Sequence, residues 1–587
     1  MGTFQKTARQ KAKNARTPSK QANATVNRAG GVAFEIKDSA LKLVTMTGGA
    51  FFAEPRFYNG DSCIPARGAA GKFEGLEQRL KIVDDKLKGF ASCEELNDVA
   101  REVIATAVDV AKSDNPEDLL AIANWLRNDM YIRLTPQVIL VIASRMGDTK
   151  SLVRKYAPCI VKRPDEVKTC LLIHRFLFGY KSLANGLNFG LGDALAGFGE
   201  RGLMKYDSPG FPTWKDVLGW VKRKKDWPLK DEVAKYFVTG DVVDGRKTPI
   251  IYARKKLAKR DTFDDESKRL AQKSLVNWEV LRSQFKGDAK DVWEFLIDEK
   301  LLGYMAMLRN LRNILQANVS GEHVQRVSNF ISSRDAVLRS KQLPFRFLSA
   351  LKAMEVSDVD IADRNELAAA VELASNYACE NIHLPGVTAI FADNSGSMDQ
   401  PVSAKSTVTC KDAANVLCGI VAKAAERPYV CAFATAVAPV RFTKTSTVLG
   451  VAGKVENADT QGWNTNAYKI PKWLADNGIK ADRVIVLSDM QCWDDTSCTG
   501  SGYSYGGGRE RSLCDAWGRY ASSNKDCWLH SIHLNGYGDS PVDEGSRVNQ
   551  LSGFSEKVFD MLMQSEGLTE ENPLPTVEQI RQKWTVK

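Results

Sequence analysis

Apolar positions recur three and four residues apart along most of the chain from about residue 34 to 380, and then the rhythm changes. In the first part, Leu76–Leu87, Cys93–Lys112, Pro116–Asn128, Pro136–Met146, Asp165–Phe178 and Val292–Gln316 all carry this helical spacing. Many are bounded by Gly, Pro, Asn or Asp. Lengths of roughly 12 to 20 residues with short connections predict stacked helix pairs, an α-solenoid, rather than one bundle. No strict sequence period accompanies them, so any repeat is one of structure. Residues 197–214, rich in Gly, Pro and aromatics, break the pattern and read as a loop.

After Pro385-Gly386 strands enter. Val387-Thr388-Ala389-Ile390-Phe391-Ala392 is a short apolar run that predicts a fully buried strand. It breaks into Asp393-Asn394-Ser395-Gly396-Ser397-Met398, and a helical pattern begins near Lys405. Farther on, Gly462-Trp463-Asn464-Thr465-Asn466 opens a helix over Ala467 to Ala475, a strand from Arg483 ends at Asp489, and Cys527–Leu534 is a further strand. This alternation predicts a doubly wound α/β unit over 385–565, with sites at the strand carboxyl ends. Residues 566–587 remain as a C-terminal tail.

The turn after the first strand carries the clearest chemistry. One carboxylate and two hydroxyls at D-x-S-x-S spacing aim hard oxygen donors at one spot, as a magnesium ion requires. The order D-x-S-x-S, loop threonine, strand-terminal aspartate resembles the metal-ion-dependent adhesion site of von Willebrand factor A domains. That resemblance maps the ligands onto Asp393, Ser395, Ser397, Thr465 and Asp489, and implies Mg²⁺ or another divalent cation as cofactor. Helix N-caps at three helix starts would account for each piece alone, but not for their co-occurrence.

Composition narrows the class. A chain of 587 residues with 44% hydrophobic and 26% charged residues is ordinary globular protein, too long for one core. The net charge of +10 is uneven: residues from 385 onward hold 20 basic and 23 acidic side chains, leaving +13 on the first 384. That excess biases the N-terminal part toward a polyanion. Residues 1–29 hold Lys6, Arg9, Lys11, Lys13, Arg16, Lys20 and Arg28 and no acid, predicting a disordered basic arm. The 12 cysteines show no C-x-x-C pair, and Cys170, Cys418 and Cys431 look like small core hydrophobes. A reducing, cytoplasmic setting is expected, with no secretory leader and no membrane span.

Two basic clusters follow the loop at 197–214. The first holds Lys215, Lys222, Arg223, Lys224 and Lys225 among Trp214, Trp220 and Trp227; the second holds Arg246, Lys247, Arg254, Lys255, Lys256, Lys259 and Arg260. Cations interleaved with flat rings suit nucleic acid, because bases stack on indoles while Lys and Arg neutralise phosphate. Trp214, Lys215, Lys222, Arg223, Lys224, Lys225, Arg254, Lys255, Lys259 and Arg260 are the candidate RNA-binding residues.

Helical repeats joined to an A domain, together with Asn277-Trp278-Glu279, Met305-Ala306-Met307-Leu308-Arg309-Asn310-Leu311, Leu343-Pro344-Phe345-Arg346-Phe347 and Gly30-Gly31 before Phe34, resemble the Ro ribonucleoprotein family. The likeness covers about residues 30 to 565. It implies a TROVE module over 30–380, whose HEAT-type repeats close into a monomeric ring with a basic hole. Structured Y-type RNA would bind outside and single-stranded 3′ ends of defective RNAs would enter the hole. The family segment W-x-H-K-D corresponds to Pro212-Thr213-Trp214-Lys215-Asp216, where Trp214 replaces a histidine implicated in Y-RNA binding. Trp can stack on a base but cannot titrate.

No Ser-His-Asp or Cys-His arrangement has useful spacing, and no phosphate-binding glycine loop appears. The expected function is therefore non-enzymatic: an RNA-binding scaffold for RNA quality control. The alternative is a metal-dependent adaptor that captures a protein, such as an exoribonuclease, through the A domain. A nuclease is disfavoured, because Asp393 and Asp489 with three hydroxyls are too few acids for two ions.

Overall fold

The computed structural model describes residues 24–26, 32–36, 38–48, 98–178, 182–207, 212–222, 224–227, 229–242, 245–342, 344–356, 358–401, 408–489, 513–534, 539–540, 547–552, 557–568 and 576–586. The chain divides into two compact units. One takes residues 1–54, 332–355 and 368–575; the other takes 55–331, 356–367 and 576–587. Among the described residues no helix is long and apolar enough to cross a membrane.

The described residues of the second unit form helices and their connections, with no strand among them. Helices Asp98–Ala111, Asp118–Asn128, Leu134–Ala143 and Val153–Ile160 pack on their neighbours in succession, and Pro164–Phe178 packs back on Leu134–Ala143. Leu134–Ala143 is apolar on nearly every side and buried from Thr135 to Ala143, as a helix walled in by others must be. Val153–Ile160 and Asn185–Ala196 approach so closely that a Cβ on Gly190 would lie 2.6 Å from that of Ala157. Only glycine permits that approach.

Several expectations need correction. Val292–Gln316 is not one helix but lies across three, Ala289–Asp298, Tyr304–Arg309 and Leu311–Gln316, with Lys300 in a left-handed turn at φ 52°. The apolar rhythm persists across the breaks because each short helix buries the same residue types. The loop at 197–214 contains helix Glu200–Lys205, anchored by buried Leu203 and Met204. Leu76–Leu87 and residues 1–23 of the arm lie outside the described residues. Within the arm, however, Ala24–Val26 is a strand paired antiparallel with Val32–Glu35, which also pairs with Asp539–Ser540.

The C-terminal residues are no tail. Thr576 and Gln579 form a capping box that starts helix Val577–Trp584, which docks on helix Asp118–Asn128. Arg581 Nε and Nη2 each donate at 2.7 Å to the buried carboxylate of Asp118, and Asn124 Nδ2 donates at 2.9 Å to the Trp584 carbonyl. Asp118 raises the Arg581 guanidinium above its ordinary value.

The A-type unit is built on a six-stranded sheet in the order Val437–Pro439, Ala425–Phe433, Leu384–Asp393, Arg483–Ser488, Trp528–His533, Val548–Ser552. The first pairing is antiparallel and the other four are parallel. Ala389 to Asp393 are buried without a break, as the unalternating apolar run of an interior parallel strand requires. Phe391 shares a core with Ile470, Leu474 and Trp517, while Cys431 and Cys527 sit in it as small hydrophobes. Glu566 also belongs to this unit. Its carboxylate accepts from Arg483 Nε and Nη2 at 2.7 Å each and lies 2.8 Å from His530 Nε2. Arg483 Nη1 adds bonds to Thr388 Oγ1 at 2.7 Å and the Pro385 carbonyl at 2.5 Å.

Candidate metal centre and nucleic-acid interface

Three loops meet at the carboxyl edge of the sheet. Parallel pairing sets Ala392 beside Leu487 and Asp393 beside Phe433, so Asp393 and the pair Ser488-Asp489 emerge together. Ser488 Oγ donates to Asp393 Oδ2 at 2.6 Å, and the Ser395 N–H donates to Oδ1 at 2.8 Å. The Ser395 and Ser397 hydroxyls are 3.2 Å apart. The loop that carries Thr465 is tied in by its backbone. Gly396 N–H donates to the Trp463 carbonyl at 3.4 Å, Asn464 N–H to Thr435 Oγ1 at 3.3 Å, and Asn466 N–H to the Ala434 carbonyl at 3.0 Å. Gly462 makes this loop possible: its φ is 136°, and a Cβ would strike Thr435 Oγ1 at 2.5 Å.

The structure thus brings Asp393, Ser395, Ser397, Thr465 and Asp489 to one end of the sheet, and all but the half-exposed Ser397 are buried. Burial above all, with the charge of Asp489 adding, pushes the Asp393 carboxyl up to about 7. A divalent cation would relieve both effects and would meet only hard oxygen donors, so the donor set fits magnesium. Among the described residues no three His, Cys, Asp or Glu side chains gather to hold an ion. At the rim stands Trp463, 72% exposed, with Lys411 Nζ 5.8 Å from its ring centre.

In the helical unit, Lys215, Lys222, Lys224, Lys225 and Lys259 are exposed, while Arg223 lies outside the described residues. Lys222 Nζ and the Arg154 guanidinium lie 4.6 and 5.0 Å from the Phe189 ring, and Arg175 lies 3.9 Å from that of Trp220. Others of the candidate cations have acidic neighbours: Lys224 faces Asp226 at 3.5 Å, Lys255 faces Asp241 at 3.7 Å, and Arg260 pairs with Asp264. Arg254 is half-buried, and that burial holds its guanidinium below the ordinary value. His174 is buried 3.1 Å from Arg145 Nη2; desolvation first, then Arg145 and Arg175, lower it to about 4 and keep it neutral.

Two family models match overlapping stretches of the chain: the TROVE domain over residues 248–412 and the Ro60 vWA domain over residues 388–499. The crystal structure of the Ro (RSR) protein of Deinococcus radiodurans superposes with a TM-score of 0.58, covering 91% of this chain and all of that one at 17% identity. The chain thus carries a TROVE domain and a Ro60-type vWA domain. It is also similar to telomerase protein component 1 of Rattus norvegicus, 24% identical over 335 residues, and of Mus musculus, 24% identical over 344. Those stretches are 47% and 49% of this chain but only 12% and 13% of the two relatives.

One candidate residue is corrected by its surroundings. Trp214, a candidate RNA-binding residue, is 2% exposed and opens helix Trp214–Trp220 behind a Thr213–Asp216 capping box. Its Nε1 donates to the Leu203 carbonyl at 3.1 Å, Lys168 Nζ covers its ring at 4.6 Å, and Phe237 packs 5.9 Å away. No face is left for a base. Trp214→Phe should cost about 1–2 kcal/mol, from the lost hydrogen bond and a small void. RNA affinity of the folded protein should stay unchanged. Weakened RNA at an unchanged melting temperature would return Trp214 to the interface.

Ser488, Thr435 and Trp463 were not picked out from sequence as parts of the metal centre. Ser488 is found only from the parallel register, which sets a hydroxyl beside Asp393; Thr435 belongs to a loop 30 residues before Thr465. Trp463 carried a signal, a lone indole in a polar loop.

Proposed function

We propose that this chain is a non-enzymatic RNA-binding scaffold of the Ro family. It takes small structured RNA of the Y type on its basic helical surface, accepts single-stranded 3′ ends, and serves RNA quality control in the cytoplasm. The observation that carries this reading is the exposed run of Lys215, Lys222, Lys224 and Lys225 beside cation-covered aromatic rings in the helical unit. The eight cysteines among the described residues are free, in keeping with a reducing compartment. The test is affinity for structured and single-stranded RNA across a salt series, with sequencing of RNA that co-purifies. Phosphate-driven binding gives a linear fall of log affinity with log salt. Absence of RNA from the purified protein and a flat salt response would overturn the reading.

The second element of the proposal is magnesium held by Asp393, Ser395, Ser397, Thr465 and Asp489. Magnesium should then raise the melting temperature, by about 2.7 kcal/mol of stability at 100 times its Kd. Asp393→Asn removes one carboxylate at constant shape, so the metal-free variant should melt no lower than metal-free wild type and lose the magnesium response. A response that survives the substitution would remove Asp393 from the ligand set. The exposed Trp463 favours a second reading, in which the A domain also acts as a metal-dependent adaptor for a protein such as an exoribonuclease. Trp is enriched among binding hot spots, and an ion with an open position accepts a partner carboxylate.

A further inference from the structure

Away from the basic cluster and the metal centre, helices Trp278–Gln284, Ala289–Asp298 and Leu311–Gln316 border a cavity of about 300 Å³ lined by Trp278, Arg282, Trp293, Asn313 and Gln316. Trp278 and Trp293 are stacked, with ring centres 5.7 Å apart and planes 29° from parallel. Trp293 is buried and Trp278 half-buried, so the inner indole supports the outer one. Arg282 is held by a bond from Nη1 to the Phe285 carbonyl at 3.0 Å. Asn313 Nδ2 donates at 2.7 Å to Oδ1 of buried Asn310, whose own Nδ2 donates to the Ala306 carbonyl at 2.8 Å. Arg282 and Asn313 are therefore oriented before any ligand arrives.

A flat indole platform, one guanidinium and two amides suit only a narrow set of ligands. An aliphatic ligand would strand the guanidinium and amides. The volume admits one base with its ribose and excludes a duplex. A guanidinium only donates, which matches the O6 and N7 acceptors of guanine and opposes the N6 amino group of adenine. We propose that this cavity binds one unpaired guanine, stacked on Trp278 with its acceptor edge toward Arg282. The proposal rests on the RNA-binding reading and deepens it, since a free guanine nucleotide and a guanine in a single strand offer the same chemistry.

The test uses the full chain and fluorescence anisotropy with two uridine hexamers, one carrying a central guanine and one a central adenine. Wild type should prefer the guanine strand. Trp278→Ala should weaken it by a factor of about 5 to 150, the span expected for one lost stack. Trp278→Phe should restore part of the loss, and Arg282→Met should erase the preference for guanine over adenine. Affinity for a blunt RNA duplex should be unchanged in all three, and melting curves confirm the fold; if Trp278→Ala does not fold, the other two variants decide. Competition by guanosine monophosphate that depends on Trp278 assigns the cavity to the free nucleotide as well, and no competition with the strand effects intact assigns it to the strand. Folded variants that bind both hexamers as wild type does would overturn the pocket while leaving RNA binding standing. Wild type that binds no RNA at all would sink the broader reading instead.

Discussion

Reversal of Lys222, Arg223, Lys224 and Lys225 to glutamate should weaken every RNA by about 10²- to 10³-fold at 0.15 M salt. Each phosphate contact contributes about 0.7–0.9 to the slope of log affinity against log salt. Losing four should flatten that slope by about 3 and remove between two and three decades of affinity at this salt. Repulsion by the new carboxylates pushes toward the upper figure, whereas the Asp226 carboxylate 3.5 Å from Lys224 Nζ already takes part of that charge. The loss should be uniform across sequences, because phosphate contacts position a nucleic acid without reading it. Stability should hardly move, since Lys222, Lys224 and Lys225 are exposed. A folded variant with an unchanged slope would show that the cluster is a solvated face.

How much of the fold and the site was legible in the sequence depends on the kind of information each feature needs. The strand Leu384–Asp393 and the loop after it could be read because a continuous apolar run ending in D-x-S-x-S is local. The five candidate ligands came together because strand-end positions in a doubly wound sheet share one edge whatever the details. Ser488 beside Asp393 needed the register of two strands 95 residues apart, which no spacing along the chain reveals. Trp214 was misjudged for a related reason. Its neighbours in sequence are lysines, but its neighbours in space are Leu203, Lys168 and Phe237. Helix Val577–Trp584 looked like a tail because its apolar content is low, and its docking depends on the Asp118–Arg581 pair, 463 residues apart. The Trp278–Trp293 stack joins two helices, so its spacing of 15 residues carried no signal of contact.

Arg483→Met should cost the A-type unit about 3–5 kcal/mol of stability, well beyond the loss expected for Trp214→Phe. Arg483 is 2% exposed and saturates three partners at once, so its removal leaves the Glu566 carboxylate buried beside His530 with two of its three bonds gone. Arg483→Met combined with Glu566→Leu should recover part of that loss, because removing both charges removes the unpaired one. The same cluster should show in the pH profile. Burial above all lowers His530, so the folded unit holds it neutral; that contribution is full above about pH 6.5 and is lost as the pH falls toward the folded value. Burial pulls Glu566 up, but bonds from His530 and Arg483 outweigh it and hold the carboxylate below its usual range. Its contribution is full above about pH 4.3 and disappears on further acidification. Both act in one direction, His530 first. The melting temperature of wild type should therefore drop relative to that of His530→Gln as the pH falls below about 6.5, because glutamine keeps an amide donor for Glu566 but cannot titrate. Asp393, held up to about 7, acts in the opposite direction in both proteins alike. The neutral, buried His174 of the helical unit adds a drop of the same sign, so the difference between the two proteins is the quantity to read. Equal slopes between pH 6.5 and 5 would assign the acid sensitivity to His174 or another group and leave Arg483–Glu566 as a purely charge-paired brace.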